Sequence, residues 1–204
     1  MNRMCKDVVL IGAGGHGKVI AEIIEKCGDK VIGFLDDNTN LKDVGGYNVL
    51  GTVDKCVEWQ NCEFIIAIGN NLIRKRIAEK YSFLNYYTAV HPRAVVSENV
   101  KIGHGSCVMP NAVINNFAVI GNHCIINTSA VIEHDNNIHD FVHISPNATL
   151  CGTVEIGKYT HIGANAAVKN NVSICDNCII GMCAAVIRNI NIEGTYVGIP
   201  ARKL

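Results

Sequence analysis

The chain has 204 residues, enough for two modest domains, and its 18 Lys plus Arg residues balance 18 Asp plus Glu residues to a formal net charge of zero. This balance gives no support to a nucleic-acid partner or to an anionic membrane surface. No apolar run is long enough to span a bilayer, and residues 1–6 lack a signal-peptide pattern. We therefore expect a cytoplasmic protein without membrane insertion.

The amino-terminal part predicts a small parallel α/β unit. An apolar strand over Val8–Ile11 is followed by the glycine-rich segment Gly12–Gly17 and a helical pattern over Val19–Ile24. A second strand over Val31–Leu35 ends at Asp36-Asp37. A G-x-G-x-x-G turn between strand and helix lets backbone N–H groups approach a phosphate, and an acid about twenty residues later completes the dinucleotide fingerprint.

NAD fits this unit poorly, because only about 85 residues precede the repeat described next, which is room for one mononucleotide-binding half. A third strand over Phe64–Ile68 ends in Gly69-Asn70-Asn71, which opens a helix from Leu72 through Arg76. Loops gather at the carboxyl ends of parallel strands, where ligands bind. We expect a phosphate-bearing nucleotide there; a purely structural glycine turn is the alternative.

Every sixth residue from Val90 to Ile192 is Val, Ile or Leu. Two places earlier lies a second, mostly small set that includes Ala112, Ala118 and Cys124. Because side chains of a strand alternate between its two faces, both sets point inward. Each hexad is therefore predicted to be a short strand that is stable only when it stacks on copies of itself, as in a solenoid. A two-layer β-sandwich would alternate more freely and need turns at longer intervals.

Turn residues recur at a fixed phase of this repeat. Gly follows the aliphatic position directly in several hexads, and Asn stands three places after it in six of them. Both residue types enter the left-handed backbone region cheaply, so corners are predicted at these places.

Ten cysteines are scattered along the chain. Cys175 and Cys178 form a C-x-x-C whose members differ in repeat phase, which we interpret as coincidence in a reduced, cytosolic protein.

Six segments carry a resemblance to a known family. They are Ile11–Lys18 (IGAGGHGK), Phe34–Asp37 (FLDD), Ala67–Arg76 (AIGNNLIRKR), Met109–Asn115 (MPNAVIN), Asn127–Asp135 (NTSAVIEHD) and Val197–Arg202 (VGIPAR). In this order they resemble the hexapeptide-repeat sugar acetyltransferases, namely the UDP-4-amino-sugar N-acetyltransferases of the bacillosamine pathway and the sialic acid O-acetyltransferases. The resemblance covers nearly the whole chain. It implies a mixed fold, with a Rossmann-like nucleotide-sugar-binding domain over residues 1–86 and a left-handed parallel β-helix over 87–204.

The resemblance also implies an activity. It is the acetyl-CoA-dependent acetylation of the 4-amino group of a nucleotide-linked amino-deoxy sugar in bacterial glycan biosynthesis, by a homotrimer that needs no metal. UDP is the expected nucleotide, and GDP stays open, as do the sugar and the acyl chain length. The alternative is O-acetylation of sialic acid or a related sugar, since hydroxyl and amine acceptors both need a base.

In the family, the histidine that matches His134 is the general base, and the acid after it orients the imidazole. That acid is Asp135 here, where a closely similar member of the family has Glu, and the side chain is one methylene shorter. The backbone N–H of Gly152 matches an oxyanion donor. His143 matches a residue that contacts the acyl or pantetheine region of acetyl-CoA; otherwise it belongs to a stacked surface ladder with His161.

The remaining matched positions imply three contact regions. Acetyl-CoA would lie in a groove between two coiled domains of the trimer, lined by Gly163, Gly181, Ile199 and Pro200. The nucleotide would lie across Gly12, Gly14, His16, Asp36 and Asp37, close to Gly69 and Asn70. Asn127 and the Met109-Pro110 corner would approach the sugar.

Two other classes of protein share features with this sequence. A zinc enzyme of the γ-carbonic anhydrase type would use His134 and His139, but the expected third ligand position holds Glu98 rather than histidine. A nucleotide-sugar sensor or scaffold without turnover would bind the sugar nucleotide and not acetyl-CoA. The sequence does not favour it, since the His134-Asp135 pair is present.

Overall fold

A five-stranded sheet in the order β3-β4-β2-β1-β5 forms the amino-terminal unit of a computed structural model, which describes residues 5–204. All neighbouring strands are parallel except the pair β3 and β4. The strands are β1 (Asp7–Ile11), β2 (Lys30–Leu35), β3 (Asp43–Val44), β4 (Tyr47–Gly51) and β5 (Glu63–Ile66). The helices are α1 (Gly15–Lys26), a 3₁₀ helix (Val53–Trp59) and α2 (Asn71–Lys80).

The three predicted strands and both helices are present. Helix α1 begins at Gly15 rather than Val19, and its inward face buries Ile20, Ile23 and Ile24 at helical spacing. Helix α2 is capped by Asn70, whose side-chain oxygen accepts a hydrogen bond from the backbone N–H of Ile73 at 3.0 Å. The hairpin of β3 and β4 was not predicted, because most of its residues are only partly buried and carry a weak apolar pattern.

From residue 89 onward the chain winds into stacked coils with three parallel faces. The first face contains Ala89–Val90, Cys107–Val108, Ile125–Ile126, His143–Ile144, His161–Ile162 and Cys178–Ile180, extended by Gly194–Val197 and Arg202–Lys203. The second contains Val95–Val96, Val113–Ile114, Val131–Ile132, Thr149–Leu150, Ala167–Val168 and Ala185–Val186. The third contains Lys101–Ile102, Val119–Ile120, Asn137–Ile138, Glu155–Ile156 and Ser173–Ile174. This confirms the predicted mixed fold of an α/β unit and a left-handed parallel β-helix.

The interior of the β-helix follows the hexad prediction. The aliphatic position and the small residue two places before it are both buried, as with Ile132 and Ala130 or Ile144 and Val142. Strands of two residues cannot bury a core alone, so their stability comes from stacking. Among residues 5–204, no helix is long and apolar enough to cross a bilayer.

The corners have two separate causes. Every sixth residue from Asn111 to Cys183 has a positive φ, between 53° and 62°, and even Phe117 and Tyr159 adopt it; of the six predicted asparagine corners only Asn189 does not. The glycines that directly follow the aliphatic position do not have positive φ, so the left-handed backbone predicted for them is wrong. A Cβ on Gly103 would lie 2.6 Å from the backbone of the next coil. These positions are glycine because the coils approach closely there.

The cysteine pair also differs from expectation. Cys178 is buried in the coil interior as predicted, but the sulfur atoms of Cys175 and Cys178 lie 3.6 Å apart. Residues three apart across a tight corner meet even when their repeat phases differ, so phase alone was a poor guide to their separation.

Candidate active site

His134 lies on the corner between the second and third faces, with its side chain 60% exposed. Its Nδ1 lies 2.7 Å from Oδ2 of Asp135, a residue with φ of 58°. Because a carboxylate can only accept, this hydrogen bond requires the proton on Nδ1, and in the neutral imidazole Nε2 then presents the lone pair. The shorter aspartate therefore reaches the ring, and the pair has the arrangement of a base with its orienting acid.

Gly152 lies on the same corner one coil above His134. A Cβ on Gly152 would lie 2.6 Å from both Nε2 and Cε1 of the imidazole, so any side chain there would displace the ring. The coils are held in register by the hydrogen bond from Thr153 N–H to the His134 carbonyl, at 3.0 Å. The N–H of Gly152 has no hydrogen-bond partner within residues 5–204. Glycine at this place leaves room beside Nε2 for a reacting group.

A second carboxylate flanks the histidine. The side-chain amide of Asn115, one coil below, donates to Oε2 of Glu133 at 2.9 Å. Neither Glu133 nor Asp135 forms an ion pair with a lysine or arginine of the described chain. The corner around His134 is therefore acidic.

The glycine-rich loop between β1 and α1 is closely packed. Gly12 has φ of 108°, and a Cβ on Gly17 would lie 2.5 Å from the carbonyl oxygen of Gly12. Gly14 is the N-cap of α1 and has open space around it. The loop thus leaves the N-terminus of α1 open for an anionic group, as the fingerprint requires.

The two aspartates after β2 are engaged within the unit. Asp36 accepts hydrogen bonds from the N–H of Ala13 at 2.7 Å and of Asn38 at 2.9 Å, and Asp37 accepts from the N–H of Val53 at 3.0 Å. One of the Asp36 bonds therefore joins it directly to the glycine-rich loop. Asp36 fixes the loop whether or not it also contacts a ligand.

His143 lies where the first face meets the loop after β5. Its Nδ1 lies 3.4 Å from the carbonyl oxygen of Gly69, and its Nε2 lies 3.2 Å from the amide nitrogen of Asn127. The ring also stacks on His161 with centroids 4.5 Å apart, so the ladder considered from the sequence is present. Burial, followed by His161 and Arg74, lowers the pKa of His143 to about 3, and burial lowers that of His16 to about 4.

Arg74 was not identified from the sequence. It is 1% exposed, and its Nε donates to the carbonyl of His123 at 2.7 Å while Nη2 donates to that of Phe141 at 3.0 Å. Nη1 donates to the carbonyls of Ile68 at 2.9 Å and Gly69 at 3.3 Å. Arg74 therefore joins the loop after β5 to two successive coils. The only signal for this role is its position on the inward face of α2.

The predicted site residues fall into two groups within one chain. His16, Asp36, Gly69, Asn127 and His143 lie on or beside the α/β unit, which covers the first face, whereas His134, Asp135 and Gly152 lie on the opposite corner. Gly163 and Gly181 pack backbone to backbone in successive coils, and Ile199 is exposed. The expectation that Met109 approaches the sugar is wrong. It is 1% exposed and packs in the hydrophobic core shared with the α/β unit, because its coil lies under that unit.

Comparison with known proteins gives the family. Residues 7–81 match the PglD N-terminal domain, and residues 137–170 and 153–188 match the bacterial transferase hexapeptide (six repeats). The acetyltransferase domain of PglB from Neisseria gonorrhoeae FA1090 is 35% identical, with 98% of this chain and 100% of that chain covered and a TM-score of 0.93. The chain belongs to the hexapeptide-repeat sugar acetyltransferases. The resemblance stated from the sequence is thereby confirmed.

Two further members of these sugar acetyltransferases are similar. A histidine-to-asparagine variant of perosamine N-acetyltransferase from Caulobacter crescentus, in complex with CoA and GDP-perosamine, is 33% identical over 96% of this chain and 95% of that chain, with a TM-score of 0.92. UDP-N-acetylbacillosamine N-acetyltransferase of Bacillus subtilis (strain 168) is 41% identical over 108 residues. That match spans half of this chain and half the length of the Bacillus protein.

Proposed function

We propose that this chain is an acetyl-CoA-dependent N-acetyltransferase acting on the 4-amino group of a nucleotide-linked amino-deoxy sugar, with UDP as the expected nucleotide. The observation that carries the proposal is the His134–Asp135 pair beneath Gly152, with Nδ1 of the exposed imidazole at the carboxylate and Nε2 beside the glycine. The relatives whose names describe N-acetylation of bacillosamine and perosamine derivatives support the substrate class. The setting expected from the sequence is the cytoplasm.

The chemistry begins with a neutral amine that attacks the thioester carbon of acetyl-CoA. Nε2 of His134 takes the proton that the nitrogen loses, and Asp135 stabilises the resulting imidazolium. The oxyanion of the tetrahedral intermediate would accept a hydrogen bond from the N–H of Gly152, which has no partner in the described chain. When the intermediate collapses, the C–S bond breaks, and the CoA thiolate takes the proton back from the imidazolium.

The acidic corner supports an amine acceptor. Glu133 and Asp135 have no lysine or arginine partner in the described chain, so the local field favours a cationic or neutral group near His134. An amino sugar arrives as an ammonium in equilibrium with its amine, whereas sialic acid brings its own carboxylate. Like charges in proximity are destabilising, so O-acetylation of sialic acid is the less suitable reaction.

We infer that a second copy of the chain completes this site. The nucleotide-binding loops cover the first face, while His134 lies on the corner between the second and third. Beside that corner are exposed apolar side chains that a neighbouring copy would cover: Val95 at 61%, Phe117 at 60% and Val119 at 40% exposure. This arrangement supports a homotrimer in which one copy holds the sugar nucleotide and its neighbour supplies the base.

The test is an acceptor screen. The protein is incubated with acetyl-CoA and UDP- or GDP-linked 4-amino sugars, or with free sialic acid, and released thiol is detected. Acetylation of a nucleotide-linked amino sugar supports the proposal, with the preferred nucleotide read from kcat/KM. Turnover of sialic acid alone favours the O-acetyltransferase, and binding of the sugar nucleotide without any turnover favours the sensor.

A further inference from the structure

The coil that carries His134 has a buried amide in its interior. Asn136 is 1% exposed and occupies the inward position two places before Ile138, where most coils have a small or apolar residue. One coil below and one coil above, the same position holds Ala118 and Val154, which both belong to the hydrophobic core. Because a buried amide without partners would be costly, its partners indicate what it does.

Both polar atoms of the Asn136 side chain form hydrogen bonds. Nδ2 donates to the carbonyl of Glu133 at 2.6 Å and to that of Cys151, one coil above, at 3.0 Å. The carbonyl oxygen of His134 also lies 3.4 Å from Nδ2. Oδ1 accepts a hydrogen bond from the N–H of Val154 at 3.2 Å. The opposite orientation of the amide would place its oxygen against carbonyl oxygens, so these partners hold the side chain in one orientation.

The hydrogen bond to the Cys151 carbonyl sets the direction of the following N–H. The peptide between Cys151 and Gly152 is trans, and in a planar trans peptide the C=O and the N–H point in opposite directions. Since the carbonyl points inward to Asn136, the N–H of Gly152 points outward, on the corner where Nε2 of His134 lies next to this glycine. This is the N–H that has no partner within residues 5–204.

Another corner of the same β-helix has an equivalent arrangement. Ser106 occupies the inward position there, and its Oγ donates to the Gly121 carbonyl at 2.8 Å and accepts from the N–H of Cys124 at 2.9 Å. The N–H of Asn122, from the peptide whose carbonyl Ser106 holds, points outward and donates to Oδ1 of Asp140 at 2.9 Å. A corner N–H that is oriented in this way therefore binds an anionic oxygen in this chain.

We propose that Asn136 is a positioning residue that directs the N–H of Gly152 toward the oxyanion of the tetrahedral intermediate. The inference rests on the proposed function, which uses this N–H as the oxyanion donor. A donor that is fixed before the reaction stabilises the developing charge without a cost of reorganisation. Asn136 is buried inside the coil, so it acts through the Cys151–Gly152 peptide and not by contact with the reacting atoms.

The experiment compares variants that remove or retain the donor at this position. Asn136→Ala and Asn136→Val remove it, and valine already occupies the same position in the next coil, so the second variant leaves no large cavity. We expect both to lower kcat by about tenfold to a hundredfold, less than the roughly 10²–10³ that follows complete loss of an oxyanion donor. The KM values for acetyl-CoA and for the nucleotide-linked amino sugar should stay unchanged, because the affected interaction forms only in the transition state.

The conservative variant is Asn136→Ser. Ser106 shows that a hydroxyl at this position reaches the corner carbonyl of the next coil. We therefore expect Asn136→Ser to recover most of the kcat that Asn136→Ala loses. A variant series that only weakened the fold would show no such recovery of kcat at constant KM.

The matched control is Ser106→Ala, which removes the equivalent pair of hydrogen bonds on a corner that does not carry the base. It should lower the thermal midpoint, as Asn136→Ala does, and leave kcat unchanged. An equal fall of kcat in Ser106→Ala would overturn the proposal, and so would an unchanged kcat in Asn136→Ala and Asn136→Val. A kcat in Asn136→Ser no higher than in Asn136→Ala would also contradict it.

The orientation of the Cys151–Gly152 peptide separates this inference from the proposed function. Acetyl transfer to the amino sugar with kcat unaltered in Asn136→Val would remove the inference and leave the function. If wild type acetylates no nucleotide-linked amino sugar, the proposed function fails. Crystal structures in which this peptide is rotated in Asn136→Val and native in Asn136→Ser would still support the positioning role, whereas the same orientation in both variants would end it.

Discussion

The junction between the α/β unit and the first face differs from the His134 corner in how far one chain completes it. At the junction, Arg74 donates hydrogen bonds to backbone on both sides, Asp36 is bonded to the glycine-rich loop, and His143 links Gly69 to Asn127. At the corner, the imidazole of His134 has one hydrogen bond and is mostly exposed. Within one chain, the junction is therefore closely bonded, whereas the His134 corner is open.

This contrast predicts different consequences for substitutions in the two regions. Arg74 at the junction is buried and donates from every guanidinium nitrogen, so the loss of such a group should reduce stability together with substrate affinity. Groups at the corner contribute little to packing, so their loss should reduce rate without affecting the fold.

The largest effect should come from His134→Ala. Removing the base should lower kcat by about 10²–10⁴, because the amine proton then has no positioned acceptor. Since the side chain is exposed and outside the core, the thermal midpoint and the oligomeric state should stay those of wild type. Steady-state kinetics measure the expected loss of rate, and thermal melting checks that the midpoint is unchanged. Activity within threefold of wild type would exclude His134 from the mechanism.

Arg74→Met, in contrast, should lower the stability of the fold. It removes every donor that satisfies the buried carbonyls of His123, Phe141 and Ile68, and unsatisfied buried acceptors cost about 1–3 kcal/mol each. We expect a loss of at least about 3 kcal/mol in the free energy of unfolding, measured by urea denaturation. Arg76→Met, on the exposed side of the same helix, is the control and should change stability by less than about 0.5 kcal/mol. Equal stabilities for the two variants would contradict the role assigned to the junction.

The fold was predictable because the same hydrophobic spacing recurs in every hexad. A single aliphatic residue does not distinguish one fold from another, but an unbroken series from Val90 to Ile192 is compatible with few structures. The register of each strand agrees with that of the next. The exposed position of His134 followed from its phase in the hexad. Its hydrogen bond to Asp135 was also foreseeable, because the partner is adjacent in sequence.

The junction was not predictable in the same way. Arg74 lies 49 residues from His123 and 67 from Phe141, and its side chain in a Lys- and Arg-rich helix resembles a solvated cation. Met109 shows the same limit, since it lies on a coil that another unit covers. Contacts between two units depend on how they dock, and no local period encodes that docking.

Asp36→Ala should raise the KM for the nucleotide sugar by about tenfold with little change for acetyl-CoA. The carboxylate is bonded to the Ala13 N–H, so its loss loosens the glycine-rich loop as well as removing any contact to the ligand. The control is Asp43→Ala, an exposed carboxylate that caps only the turn at Gly46. An unchanged acceptor KM in Asp36→Ala would place the nucleotide elsewhere.

A further expected effect is a pH dependence of the free energy of unfolding that originates at the junction. Burial holds the pKa of His143 at about 3 and that of His16 at about 4, below the ordinary 6.5. Above pH 6.5 both residues are neutral in the folded and unfolded chains. Their contribution to the free energy of unfolding is therefore fully present there. As the pH falls from 6.5 toward 4, the unfolded chain binds protons that the folded chain does not, and the free energy of unfolding decreases by about 1 kcal/mol per pH unit for each residue. Urea denaturation at pH 7, 6 and 5 should show this slope, and His143→Asn, which retains a donor for Gly69, should reduce it. A slope that is the same in His143→Asn would mean that the junction histidines do not carry the acid sensitivity, and that the junction is more hydrated than its buried arginine indicates.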